Sequence, residues 1–315
     1  MRQEFSPLPL SEVIRRTTVI EQERLSARLG ARVMVATETF QHTGSFKFRA
    51  AYNLASNVSQ REIITASSGN YGQAMAYACR LLGKSCTVVM PATSAQVKID
   101  AVRQYGGTVD LIDVNVISRA ARVEELARAQ PQAYVASAYD DPLVIDGNAS
   151  LGQELASLGR EFDFIVAPVG GGGLTSGIIK GLRRAGSSIK VIGAEPLAGN
   201  DAARSIRAGY IVANETEPQT IADGARTVSV GQHNWAIIKE GLSKIVEVPE
   251  ENIKEGVRVL FSLANLKVEP TGALAVGALL TEPESFQGRS VCCVVSGGNV
   301  DPEVYRRLLA GQGDL

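Results

Sequence analysis

Four stretches of this 315-residue chain carry residue types that could do chemistry together. The first is Thr43-Gly44-Ser45-Phe46-Lys47-Phe48-Arg49-Ala50. Thr43 and Ser45 are good helix N-caps and the amphipathic run 46–54 follows, so Lys47 is expected in a first helical turn. A cation there faces the positive end of the helix dipole, and Arg49 adds a like charge nearby. Both effects would lower the lysine's pKa, and a partly neutral lysine is a nucleophile for carbonyl carbon. The second stretch, Pro168-Val169-Gly170-Gly171-Gly172-Gly173-Leu174-Thr175-Ser176-Gly177, joins a hydrophobic strand to a helix. Its glycines let backbone N–H groups turn inward at the positive end of a helix, which makes a phosphate cradle. It matches G-x-G-x-x-G in no register and has no Walker lysine. The third, residues 65–73, sets Ser67, Ser68, Gly69 and Asn70 before a helix N-terminus, where hydroxyl, amide and backbone donors suit a carboxylate. The fourth, Val295-Ser296-Gly297-Gly298-Asn299, follows a buried strand, where Ser296 could donate to a heterocycle nitrogen.

The elements that must position these stretches follow from an ordinary globular composition, 45% hydrophobic and 21% charged. Strand and helix patterns alternate: strands at 32–36, 63–65, 86–90, 109–114, 164–169, 190–194, 245–248 and 290–295. Between and around them lie helices near 11–16, 21–29, 72–82, 95–105, 117–129, 150–158 and 174–184, then from 252, 271 and 302, with a polar loop at 139–148. Alternation with β-branched strands predicts an α/β fold of parallel sheets covered by helices. A smaller domain at 50–140, inserted in a larger one formed by 1–49 and 141–315, is the expected organisation.

A formal charge of −1 and 5% aromatics exclude a basic or stacking surface for nucleic acid. The first residues, Met1-Arg2-Gln3-Glu4-Phe5-Ser6-Pro7, lack the apolar core of a signal peptide, and no apolar run is long enough for a membrane helix. Cys79, Cys86, Cys292 and Cys293 form no CxxC pair and read as buried thiols in a reducing cytoplasm. With only His42 and His233 available, zinc has little to bind.

A nucleophilic lysine, a phosphate cradle, a carboxylate loop and a neutral hydroxyl together describe a pyridoxal-phosphate site. The order and wording of the motifs resemble the fold-type II pyridoxal-phosphate enzymes (tryptophan synthase β-like), in the serine/threonine dehydratase and serine racemase branch. The resemblance runs from about Thr17 to Asn299 and includes Thr220-Ile221-Ala222-Asp223-Gly224 and Glu269-Pro270-Thr271. It implies that Lys47 holds the cofactor as a Schiff base and acts as the base at Cα, that Phe46 packs on the ring, and that Asn70 bonds the phenolic oxygen. Gly170, Gly171, Gly172 and Gly173 would bind phosphate and Ser296 would face the pyridine nitrogen. A serine there makes the ring a weaker electron sink, which suits expulsion of a β leaving group. Ser67, Ser68 and Asn70 would hold the substrate carboxylate, with Ser68 on the opposite ring face as a second proton carrier, and Arg119 sits about where relatives place a substrate-reading arginine. Glu195, Asp201 and the Gly199 carbonyl match the relatives' site for Mg²⁺ or Ca²⁺; a helix N-terminus capped by Asn200 or Asp201 is the alternative.

The implied activity is α,β-elimination on a β-hydroxy amino acid, threonine- or serine-like or 3-hydroxyaspartate or bulkier, giving a 2-oxo acid and ammonia. The alternatives are serine or aspartate racemisation and, more remotely, a nicotinamide dehydrogenase using Glu195 for a ribose. A cytoplasmic homodimer with a small amino-acid substrate is expected. The chain departs from its relatives at Tyr71 (usually histidine), Ala50, Thr18 and Asn148. Tyr71 borders the substrate site, so the side chain handled is expected to differ from that of serine or threonine. The chain ends soon after Ser296, so feedback by isoleucine through a regulatory domain is not expected.

Overall fold

The computed structural model describes residues 7–67, 69–94 and 96–311. Among them are ten strands: β1 (Thr18–Glu21), β2 (Arg32–Thr37), β3 (Glu62–Ala66), β4 (Ser85–Pro91), β5 (Thr108–Ile112), β6 (Tyr134–Ala136), β7 (Phe164–Pro168), β8 (Lys190–Pro196), β9 (Leu242–Val248) and β10 (Ser290–Val295). A six-stranded sheet runs β1-β2-β10-β7-β8-β9 and a four-stranded sheet runs β5-β4-β3-β6. Every pairing is parallel except β1 with β2. Parallel neighbours need crossovers, and helices supply them on both faces.

The strand sequences show why both faces are covered. In β10, Val291, Cys293 and Val295 join one apolar cluster while Cys292 and Val294 join another. β2 divides likewise, Val33 and Val35 to the first cluster and Met34 and Ala36 to the second. Alternation along a strand sends successive side chains to opposite faces, and each large apolar side chain fully buried contributes about 1.5–3 kcal/mol. All four cysteines are buried and free. A third cluster surrounds the small sheet and takes Phe48, Ala51 and Leu54 from the Lys47–Asn57 helix and Tyr71, Met75 and Cys79 from the Asn70–Leu81 helix.

Several elements differ from the sequence expectation. Residues 21–29 are not one helix: β1 ends at Glu21 and a helix begins at Glu23. The short strands β1 and β6 were not expected; each is only three or four residues long and defined by its partner rather than by its own pattern. The expected loop 139–148 is mostly helix, Pro142–Ala156. Asp141 caps it by accepting from the Leu143 N–H at 2.7 Å, and Pro142 occupies the first turn, where its missing N–H costs nothing. Ser11 does not cap the first helix, which starts at Leu10 behind Pro9.

Two helices fix the glycine run. The Pro142–Ala156 and Gly173–Arg184 helices touch backbone to backbone: a Cβ on Gly181 would stand 2.1 Å from the Ala149 carbonyl oxygen. No described helix is long and apolar enough to cross a membrane. The carboxyl ends of β3, β7 and β10 lead within two residues to Ser67, Gly170 and Ser296, and all three line one cleft of about 740 Å³.

Candidate active site

Lys47 opens the Lys47–Asn57 helix, but neither expected cap makes the hydrogen bond. Thr43 lies in a short 3-10 turn at φ +60°, and Ser45 is extended, its backbone bridged to Gly297. Both hydroxyls are buried without a partner. The bridge explains this: the Phe46 N–H donates to the Ser296 carbonyl at 3.0 Å, so the approach to the helix is stitched to the end of β10 instead of being side-chain capped. This stitching brings Lys47 and Ser296 into the same cleft.

The Lys47 ammonium donates to the Ala138 carbonyl at 2.7 Å and stands 5.0 Å from the Phe46 ring and 5.6 Å from the Tyr71 ring. Its pKa is lowered to about 8 by burial, with Glu269 pulling the other way. Arg49 is not the cause. Its guanidinium, fully buried, is held by Glu38 at 2.7 and 2.9 Å and by Glu154 at 2.6 and 3.1 Å, so its charge is matched. Reaction of Lys47 with a carbonyl probe should therefore climb with pH and level off above about 8. Glu269→Gln removes the anion that favours the ammonium, so the midpoint should move to lower pH and the rate at pH 7 should rise several-fold. A stopped-flow pH series on both proteins checks this; an unmoved midpoint would contradict it.

The glycine run is built as a donor cup. Among the described residues, the N–H groups of Gly170, Gly171, Gly172 and Gly173 have no acceptor, whereas Val169 just before them donates to Ala194. The carbonyls are held from behind: Asn234 Nδ2 donates to the Gly171 carbonyl at 2.9 Å and Asn148 Nδ2 to that of Gly173 at 3.0 Å. Gly172 takes φ +94°, a region that disfavours any side chain. Free N–H groups at the start of a 12-residue helix make an anion site.

Asn70 has its amide orientation fixed at both ends. Nδ2 donates to the two oxygens of Glu269 at 2.8 and 3.0 Å, and Oδ1 accepts from Asn299 Nδ2 at 2.8 Å. Asn299 also reaches the Thr43 carbonyl at 2.7 Å. Burial holds the Glu269 carboxyl above the ordinary carboxylate range, with Asp223 adding to the effect and Asn70 opposing it. The Ser296 hydroxyl is buried with no partner. Ser67 is buried and its hydroxyl accepts from the Gly69 N–H at 3.3 Å. Ser68 lies outside the described residues. Tyr71 contributes its ring to the cleft wall and is fully buried; its phenol is pushed far up by burial, with Asp141, Cys86 and Cys79 near enough to act on it.

The rim carries charge. Arg119 pairs with Glu217 at 3.0 Å, and Lys98 pairs with Asp223; all four line the cleft. Arg119 also acts on the Tyr139 phenol, lowering a pKa that burial raises, and the Tyr139 ring lies against Gly171.

Glu195 caps the Asp201–Ala208 helix, accepting from the N–H groups of Ala202 and Ala203 at 2.9 Å each; Asn200 and Asp201 do not. Glu195 is 1% exposed and does not line the cleft of the glycine run, so it does not reach a ribose bound there, which removes the dehydrogenase alternative. Asp201 accepts from Asn214 through one oxygen at 2.9 Å; the other is buried without a partner. Burial pushes Asp201 up to about 7, and burial together with Asp201 raises Glu195. Gly199 is buried beside them in the turn Leu197–Gly199. Among the described residues, no three His, Cys, Asp or Glu side chains gather as a metal cluster.

Glu269, Asn234 and Asn299 also shape the site, though their spacing in the sequence does not mark them for it. Their partners lie far away along the chain, 199 residues for Glu269 and Asn70, so no local pattern announces them. The Glu269-Pro270 pair, a Pro-led helix start, was the available signal.

Similarity to known proteins agrees with this geometry. A family model described as "Pyridoxal-phosphate dependent enzyme" matches residues 10–297. Among curated proteins, an L-threo-3-hydroxyaspartate ammonia-lyase from a Pseudomonas species is 38% identical over 300 residues, 94% of this chain and 93% of that one. A serine racemase from Schizosaccharomyces pombe is 34% identical over 299 residues, 94% and 92% of the two chains. Among solved structures, a T.th. threonine deaminase aligns with a TM-score of 0.88 at 35% identity, covering 93% of this chain and 95% of that one.

Proposed function

The chain belongs to the pyridoxal-phosphate dependent enzyme family, and from that premise we propose that it is an ammonia-lyase for β-hydroxy amino acids, with 3-hydroxyaspartate the preferred kind, releasing a 2-oxo acid and ammonia. One observation carries the reading: a buried amine of lowered pKa and four acceptor-free N–H groups open on one cleft. The buried, partnerless Ser296 hydroxyl in the same cleft fits a heterocycle nitrogen, so the residues suit the cofactor. When bound, pyridoxal phosphate supplies an aldehyde for covalent capture and a conjugated ring that withdraws electron density from Cα.

The protein's own part follows from the geometry. Lys47 would hold the cofactor through its aldehyde carbon and, when its amine is free, would take the Cα proton on Nζ; a base of pKa about 8 is suited to neutral solution. The Ala138 carbonyl orients that amine. Gly170, Gly171, Gly172 and Gly173 would bind the phosphate and Phe46 would pack on the ring, and Asn70, held in place by Glu269 and Asn299, would turn one Nδ2 hydrogen from Glu269 to the phenolic oxygen. Ser67, Ser68 and Asn70 take the α-carboxylate, Tyr71 walls the substrate side and Arg119 reads the substrate side chain. Residues 50–140 form the small domain and the remainder the large one.

Glu195, Asp201 and the Gly199 carbonyl hold a divalent cation such as Mg²⁺ or Ca²⁺. Two neighbouring buried carboxylates support this: one Asp201 oxygen has no partner, each Glu195 oxygen keeps a lone pair beyond the one that accepts its N–H, and a cation would offset the cost of burying both charges. We also read the protein as a cytoplasmic homodimer.

A second reading, racemisation of serine or aspartate, is favoured by the serine racemase relative and needs Ser68 to carry a proton on the opposite face. Incubating the loaded enzyme with L-threonine, L-serine, 3-hydroxyaspartate and phenylserine separates the two. Elimination predicts 2-oxo acid and ammonia in equal amounts, fastest from 3-hydroxyaspartate. Enantiomer inversion without 2-oxo acid would establish the second reading; neither product from any substrate would end both.

A further inference from the structure

Arg119 opens the Arg119–Ala129 helix, and Glu217 lies across the cleft in a stretch, 211–222, without helix or strand. Their side chains are 34% and 49% exposed, and Nη2 stands 3.0 Å from Oε2. An ion pair this exposed contributes about 0–1 kcal/mol, so another carboxylate can exchange for Glu217 at little cost. A substrate already tethered by its amine and α-carboxylate presents its side chain to Arg119 at high effective concentration. A carboxylate there competes with Glu217; a hydroxymethyl or hydroxyethyl group does not. Glu217 engages Arg119 through Nη2, and its charge repels a second carboxylate arriving at the same guanidinium, so binding of that carboxylate favours departure of Glu217.

We propose that Glu217 is a specificity-determining residue: it occupies Arg119 as an internal carboxylate until the side-chain carboxylate of an amino dicarboxylate substrate takes its place. The idea rests on the lyase reading for its substrate and on the Arg119–Glu217 contact for its mechanism. It accounts for a cation that stays paired in the resting cleft yet is free to bind substrate.

The test is Glu217→Gln in the loaded enzyme, with Arg119→Met and the double variant. In Glu217→Gln, KM for 3-hydroxyaspartate should fall roughly two- to fivefold, the gain from removing a competitor worth up to about 1 kcal/mol, with kcat unchanged. KM for L-serine and L-threonine should not move. In the Arg119→Met background, which should raise KM for 3-hydroxyaspartate, Glu217→Gln should have no further effect. Calorimetry with succinate, which carries two carboxylates and no amine, gives a readout without turnover: it should bind Glu217→Gln more tightly than the parent. Equal KM changes for all substrates, no change for any, or succinate binding indifferent to Glu217 would overturn the proposal. Should the parent make no 2-oxo acid at all, the lyase reading fails, while the succinate measurement still reports on the exchange.

Discussion

Lys47→Ala is expected to lower 2-oxo acid production by at least about 10³-fold, because in the proposed mechanism one side chain supplies both the covalent attachment and the base at Cα, and a positioned base alone contributes about 10²–10⁴-fold. The substitution should leave the fold in place. Lys47 makes one hydrogen bond, to the Ala138 carbonyl, and burying an ammonium is a cost that alanine removes. The melting temperature of the variant should therefore equal or exceed that of the parent, while activity vanishes. Adding a small primary amine such as methylamine should recover part of the rate if the missing base is the whole defect. Retention of more than a few per cent of the activity without added amine would show that another group performs the proton transfer.

Arg49→Met should be the most destabilising single change near the site. Arg49 and Glu38 are completely buried and Glu154 is 17% exposed at its side chain, so methionine leaves Glu38 without a cation. Breaking a buried pair in this way costs about 3–5 kcal/mol. Against a typical stability of about 5–15 kcal/mol, that is a large share. A second substitution isolates the cause. In urea melts, adding Glu38→Gln to Arg49→Met should recover part of the lost stability by removing the uncompensated carboxylate. An unrecovered deficit would mean that lost packing, not an uncompensated carboxylate, is responsible. Because Arg49 lies two residues beyond Lys47 and ties its helix to Glu38 after β2 and to Glu154 on the Pro142–Ala156 helix, activity should fall as well.

What the sequence revealed was what lies close together along the chain. The glycine run was legible because a buried strand, four glycines and an amphipathic helix are consecutive, and the N–H groups they leave free follow from that order. Lys47 was legible as an amine of lowered pKa, but for an incomplete reason. Its lowered pKa comes chiefly from burial between Phe46, Tyr71 and Ala138, and Arg49, which by proximity looked like a repelling neighbour, turns away into its own carboxylates. The expected caps Thr43 and Ser45 failed because a distant strand end supplied the backbone partner first. Glu269, Asn234 and Asn148 hold the cup and the amide in place through contacts between segments that no periodicity links. Asp141-Pro142 was legible in principle as a cap followed by a first-turn proline, and reads as a turn because the same two residues begin turns equally well.

Everything proposed for the cleft depends on a single amine forming the covalent bond to the cofactor. Loading the protein with pyridoxal phosphate, reducing it with borohydride, digesting it and mapping the modified peptide by mass tests this dependence. One reduced cofactor per chain is expected, on Lys47, with the visible band lost on reduction. A label on any other lysine, or no label on a protein that turns over its substrate, would show that Lys47 is not the attachment point.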